Sequence, residues 1–185
     1  MKKQIVKKAP AEQLYFVGIL PPDDIQQEVT VFKQQALDQF KAGNALASPP
    51  HITLLPPFKS SRTDFSVLSE FAAQKQPMEV ALNGFDKFDQ RVIFVAVQPN
   101  ETLVALQKDL ELYAHYHLGI EPEYRPYIPH MTVALKDLKR PNFPAAFAHF
   151  SAQSYERTFT GTALSLFRSE ARQWVKVDEW TLGGL

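Results

Sequence analysis

An α+β fold made by duplicating one unit is the class this sequence predicts, and three observations predict it. The stretch Pro50-His51-Ile52-Thr53-Leu54 has an echo at Pro129-His130-Met131-Thr132-Val133. The order of elements around each copy is the same: a helix, the His-x-Thr strand, a second helix, then two strands. Composition shows no sharp change along the 185 residues, 45% of which are hydrophobic. That favours one body, read as lobes over about 10–98 and 99–185 that share a core. The halves are expected to meet about an approximate two-fold axis, with the motif strands facing each other across a cleft.

In chain order, Leu14 to Leu20 is apolar, rich in aromatic and β-branched residues, and stopped by Pro21-Pro22, which predicts a buried strand. Asp23 or Asp24 can cap a helix whose apolar stripe is Ile25, Val29, Phe32, Ala36 and Phe40, ended by Gly43-Asn44. The first motif strand follows and is expected to stop at Pro56-Pro57. A second amphipathic helix is expected from about Asp64 to Gln74. Glu79 to Phe85 and Val92 to Val97 read as paired strands joined by a polar turn region over Asp86 to Gln90. The order then repeats. A helix through Leu103, Leu106, Leu110 and Tyr113 is stopped by Gly119. The second motif strand runs from about Ile128 to Leu135, and a helix carries Phe143, Phe147 and Phe150. Strands at about Thr158 to Phe167 and Trp174 to Leu182 close the chain.

Formal net charge is zero, and a protein that grips long nucleic acid needs a basic surface. The balance leaves room for a short or terminal nucleotide in a local pocket. There are no cysteines, so disulfides and thiolate metal sites are excluded and a reducing, cytoplasmic setting fits. Lys2, Lys3, Lys7 and Lys8 have no apolar run behind them and read as a basic tail, not a secretory signal. No stretch is long and apolar enough to span a membrane. No protein partner is marked, and a monomer is expected.

In an extended strand, residues i and i+2 share a face. Each motif therefore presents an imidazole beside a hydroxyl, while Ile52 with Leu54, and Met131 with Val133, turn toward a core. Histidine titrates near neutrality, so of two opposed rings one can accept a proton while the other gives one. That pairing suits in-line displacement at phosphorus: a base for the attacking oxygen, an acid for the departing one. Thr53 and Thr132 can hydrogen-bond the non-bridging oxygens, which gain charge in the transition state. The scheme calls for no metal and no cofactor.

The two motifs and the duplicated layout resemble the two-histidine (2H) phosphoesterase superfamily, within it the bacterial 2′–5′ RNA ligase-like and cyclic phosphodiesterase branch. The closing Trp174-to-Gly183 stretch is similar to the last strand of that branch. The resemblance implies a single domain over 1–185, bilobal, with antiparallel sheets lining a central cleft and helices outside. It also implies hydrolysis of 2′,3′-cyclic phosphates, or making and breaking of 2′–5′ phosphodiester bonds, without metal. The partner would be an RNA terminus or a small nucleotide with a cyclic phosphate. By motif match His51 and His130 become the catalytic pair and Thr53 and Thr132 the phosphate-binding hydroxyls.

Other residues divide between substrate contact and packing. Tyr124, Arg125 and Tyr127, just before the second motif, are candidates for base stacking and phosphate contact. Phe58 is a candidate base platform, and Arg168 a candidate for the cleft. His115 and His117, at i and i+2 on a helix, do not share a face and make poor joint metal ligands; His149 has no partner. Asp23-Asp24 and Asp86 with Asp89 read as cap and turn residues. An alternative function, a nucleotide- or RNA-end-binding module with little turnover, would not need both protonation states of a histidine pair. A metallo-hydrolase would need a carboxylate or third histidine that the motifs lack.

Overall fold

The computed structural model describes residues 11–184, so the basic N-terminal stretch lies outside the described residues. The strands are β1 (Gln13–Ile19), β2 (Ile52–Ser60), β3 (Met78–Phe88), β4 (Val92–Val97), β5 (His130–Ala134), β6 (Glu156–Gly161), β7 (Ala163–Glu170) and β8 (Gln173–Thr181). The α-helices are α1 (Asp23–Phe40), α2 (Val67–Ala73), α3 (Glu101–Leu118) and α4 (Phe143–Ser151). Two four-stranded sheets form, in the orders β2-β1-β7-β8 and β5-β4-β3-β6. Every ladder pair is antiparallel.

Most expected elements form where apolar periodicity placed them, and α3 is a clear case. Asn100 caps it by accepting from the Leu103 N–H at 2.9 Å, Leu103, Leu106 and Leu110 are buried, and Gly119 closes it at φ +68°. Four local expectations are corrected. The cap residue of α1 is Pro22, with Asp23 and Asp24 in the first turn, where carboxylates favour the helix dipole. The same helix ends at Lys41, itself left-handed at φ +60°, before Gly43 is reached. Strand β2 does not stop at Pro56-Pro57 but runs through them to Ser60. It lies at a sheet edge, where missing N–H donors are tolerated, and its pairing with β1 slips there. The strand expected over Thr158 to Phe167 is two strands. They break at Thr162, with β6 ending one sheet and β7 entering the other.

Neither sheet belongs to one half of the chain. The first takes β1 and β2 from the front and β7 and β8 from the back; the second takes β3 and β4, then β5 and β6. The helices cross as well: α1 packs on β5 with α4 on β3, whereas α3 packs on β2 with α2 on β8. The buried residues from both halves form one contiguous core cluster. The interleaving positions the site. Strands β2 and β5 are each an inner edge of a sheet, and they touch each other. Ile52, Leu54, Met131 and Val133 are buried at 0–1% exposure, leaving His51, Thr53, His130 and Thr132 on the opposite, half-buried face.

Candidate active site

The two motifs are built alike down to single hydrogen bonds. His51 Nδ1 lies 2.8 Å from the Pro49 carbonyl, and His130 Nδ1 lies 2.8 Å from the Ile128 carbonyl. A carbonyl can only accept, so each Nδ1 carries the proton and each Nε2 is the free lone pair in the neutral ring. Each strand also bulges at the same place. Gly18 pairs with Thr53 and Val17 with Leu55, so Leu54 is the extra residue; Phe94 pairs with Thr132 and Ile93 with Ala134, so Val133 is the extra residue. A bulge lets two successive side chains face one way. Accordingly Leu54 with Leu55, and Val133 with Ala134, are all buried.

Bulged edge backbone needs partners for its carbonyls, and two side chains from the second half supply them. Tyr127 Oη donates to the Thr53 carbonyl at 2.9 Å, and Gln107 Nε2 donates to the Leu54 carbonyl at 3.4 Å. Burial raises the pKa of the Tyr127 phenol, which keeps it a donor. Tyr127 thus ties the approach to the second motif onto the first.

The surroundings of the imidazoles are not equivalent. His51 stacks on Phe16 at 4.5 Å between ring centroids, and Phe16 stacks in turn on Phe167. Gly18 makes this possible, since a Cβ there would lie 2.8 Å from the Ile52 carbonyl oxygen and 3.4 Å from His51 Cδ2. His130 instead meets Phe88 edge-on at 4.8 Å and Phe94 at 5.0 Å. Burial lowers the pKa of both rings, opposed in each by the local carbonyl contact. His51 is pushed down to about 4, with Lys33 and His130 adding to the lowering. The charge of His130 reaches His51, so the rings are electrostatic neighbours. A mainly apolar cavity of about 560 Å³ opens at the second ring, walled by Thr53, Phe88, Tyr127, Ile128, His130 and Thr132.

The remaining candidates scatter. Arg125 lines this cavity and is paired with Glu123 at 2.8 Å. Tyr124 is 89% exposed. Phe58 is carried away from the cleft: it packs with Tyr15 and Phe65 and lines a separate groove near Gly119. Arg168 pairs with Glu170. His115 contacts the Ile120 carbonyl, His117 stacks on Tyr113, and His149 meets Gln35. Among the described residues no group of three or more His, Cys, Asp or Glu could hold a metal ion. Two residues at the site escaped sequence reasoning, Lys33 and Gln107, exposed by only 2% and 7%. The available signal was their spacing, four residues after Val29 and Leu103, inside apolar stripes.

Two antiparallel sheets, each with a His-x-Thr motif on its inner edge strand, define the class of fold, and comparison supplies the family. The family model described as the 2′–5′ RNA ligase superfamily matches residues 21–173, and the chain belongs to that family. The RNA 2′,3′-cyclic phosphodiesterase of Bacillus subtilis is 28% identical over 174 residues, covering 89% of this chain and 92% of that protein. A Bacillus pumilus protein named for phosphoesterase activity is 37% identical over 94 residues. That match spans 48% of this chain and 53% of the relative. Among solved structures, Escherichia coli LigT complexed with 3′-AMP superposes with a TM-score of 0.67 at 19% identity, over 93% of this chain and 99% of that one. The Thermus thermophilus protein TT0787 gives a TM-score of 0.66 at 17% identity, over 93% and 98%.

Proposed function

We propose that this protein is a metal-independent phosphoesterase that opens 2′,3′-cyclic phosphates at RNA ends or on small nucleotides, with related action on 2′–5′ linkages. The observation that carries this is the duplicated frame. Two imidazoles are each fixed through Nδ1 at 2.8 Å, each with a bare Nε2 and a threonine two residues on. The Bacillus subtilis relative supports the substrate class, and the E. coli LigT structures complexed with 3′-AMP and ATP support binding of a small nucleotide.

In this reading the environments divide the roles. His51, buried on Phe16 with the Lys33 cation nearby, is held neutral, and its Nε2 takes a proton from the attacking water. His130, at the mouth of the larger cavity, carries the proton on Nε2 and gives it to the departing ribose oxygen as the P–O bond breaks. Thr53 and Thr132 bind the non-bridging oxygens, where charge accumulates. Binding an anionic phosphate raises the pKa of both rings, which brings the protonated state of His130 toward neutral pH. Tyr127 and Arg125 form the wall against which the nucleoside rests. The chain acts as one domain, a monomer in the cytoplasm.

The test is hydrolysis of nucleoside 2′,3′-cyclic monophosphates in chelator from pH 5 to 9, with the product isomer identified. A bell-shaped profile is expected, with His51→Ala and His130→Ala each losing about 10²–10⁴-fold. Turnover unchanged in both variants would reject the proposal, and activity that vanishes in chelator would replace it with a metal-dependent one.

A further inference from the structure

Lys33 stands where a core-facing helix should carry an apolar residue. It continues the buried stripe of Ile25, Val29 and Ala36 on α1 and is 2% exposed. Its Nζ donates to the Ser48 carbonyl at 2.9 Å. An ammonium has three donors, and among the described residues no carboxylate oxygen comes within 4.0 Å of this one. Burial alone lowers its pKa to about 7. A buried cation without a counter-charge is costly, and an anion that reaches it removes that cost.

A route for an anion exists. Lys33 lines a cavity of about 240 Å³ with Thr30, Ser48, Pro49, Gln173 and Trp174. This cavity adjoins the first motif. Pro49, in its wall, accepts from His51 Nδ1, and Trp174 lies edge-on at 4.7 Å to the Phe16 ring on which His51 stacks. The larger cavity opens at His130 instead. No lysine lines that larger cavity; its wall includes the neutral Gln107 on α3, which turns to the Leu54 carbonyl.

We propose that this smaller cavity is a second phosphate subsite, in which Lys33 takes the 5′-phosphate of a nucleotide whose cyclic phosphate lies between His51 and His130, with Trp174 stacking the next base. This deepens the phosphodiesterase reading and rests on it: the preferred substrate is the end of an RNA strand, not a bare nucleoside cyclic phosphate. Aromatic stacking is tolerant of base identity, so the subsite selects for strand continuation without selecting sequence.

The experiment compares kcat/KM for adenosine 2′,3′-cyclic phosphate with that for its 5′-phosphorylated form, in wild type, Lys33→Met and Gln173→Glu. Methionine replaces the buried cation with an apolar chain of similar reach, and Gln173 is exposed at the rim, so both variants keep the fold. The 5′-phosphate is expected to raise kcat/KM about tenfold in wild type, as for a charge-assisted contact. In both variants the gain should fall below about twofold, and in Gln173→Glu turnover of the unphosphorylated substrate stays within about threefold. No gain in wild type, or an equal gain in wild type and variants, overturns the subsite. If wild type turns over neither compound, the phosphodiesterase reading has failed and the subsite is judged by binding. Lysine side-chain NMR of the His51→Ala, His130→Ala double variant is then titrated with inorganic phosphate. The Lys33 signal, assigned by its loss on adding Lys33→Met, moves if the subsite exists and stays fixed if it does not.

Discussion

At the scale of single residues, the protein works by holding ordinary groups in unusual surroundings. The pKa of His51 falls from 6.5 to about 4 on folding, mainly through burial, and that of His130 moves the same way. Below pH 6.5 the unfolded chain binds protons that the folded chain refuses, so stability falls as pH drops from 6.5 toward 4. Lys33 acts with the same sign in a higher window: its pKa falls from 10.5 to about 7, so stability rises between those values. Thermal melts should therefore give a higher Tm at pH 9 than at pH 7, and Lys33→Met should flatten that difference. Thr53→Val and Thr132→Val keep shape and remove a hydroxyl; each is expected to lower kcat by about 10–10³-fold with Tm nearly unchanged, measured by steady-state kinetics and calorimetry. Tyr127→Phe leaves the Thr53 carbonyl without its donor and should cost about 1–2 kcal/mol in denaturant unfolding. The histidines and threonines were legible because their pattern repeats. Lys33 and Gln107 were not, because one polar residue in an apolar stripe has no meaning until its partner is known.

At the scale of elements, the bulges at Leu54 and Val133 set the geometry. They turn two adjacent side chains into the core at the same point of each strand, and at the first of them Tyr127 and Gln107 satisfy the carbonyls of Thr53 and Leu54. No local pattern marks a bulge: Leu54-Leu55 and Val133-Ala134 read simply as apolar pairs. Pro56-Pro57 misled for a related reason, since proline stops a strand only where its missing N–H would be used, and an edge strand has one idle side. Gly18 is the element-level counterpart of the motif histidine. Gly18→Ala would drive a methyl to 2.8 Å from the Ile52 carbonyl oxygen and against His51. We expect a loss of about 1–3 kcal/mol with a fall in kcat larger than any change in KM, because it is the position of His51 that shifts. The loop before β5 gave three candidates, of which Tyr127 and Arg125 reach the cavity and Tyr124 turns to solvent. Adjacent residues of one loop diverge, so sequence proximity to a motif does not decide contact.

At the scale of the whole molecule, the two halves are exchanged, not merely joined. Each sheet takes strands from both, and α1 and α3 each pack on the motif strand of the other half. A fragment of residues 11–98 would keep β3 and β4 without β5 and β6, and β1 and β2 without β7 and β8, exposing much of the shared core. Such a fragment is expected to show no cooperative melt and little amide dispersion in NMR. Zero net charge has its own consequence. Affinity for an RNA end should fall with salt by a slope of only about −1 to −2 in log–log form, the signature of one or two phosphate contacts and not of a basic groove. By itself the sequence determined the duplication, the helices and the four motif residues, because periodicity of 2 and 3.6 and a repeated pentapeptide are local properties. Only the tertiary structure decided that the halves interleave, that Phe58 leaves the cleft while Gln107 enters the site, and that His51 and His130 differ. Those outcomes depend on which surfaces meet across long stretches of chain, and burial and charge at a residue are set by neighbours that the local sequence does not contain.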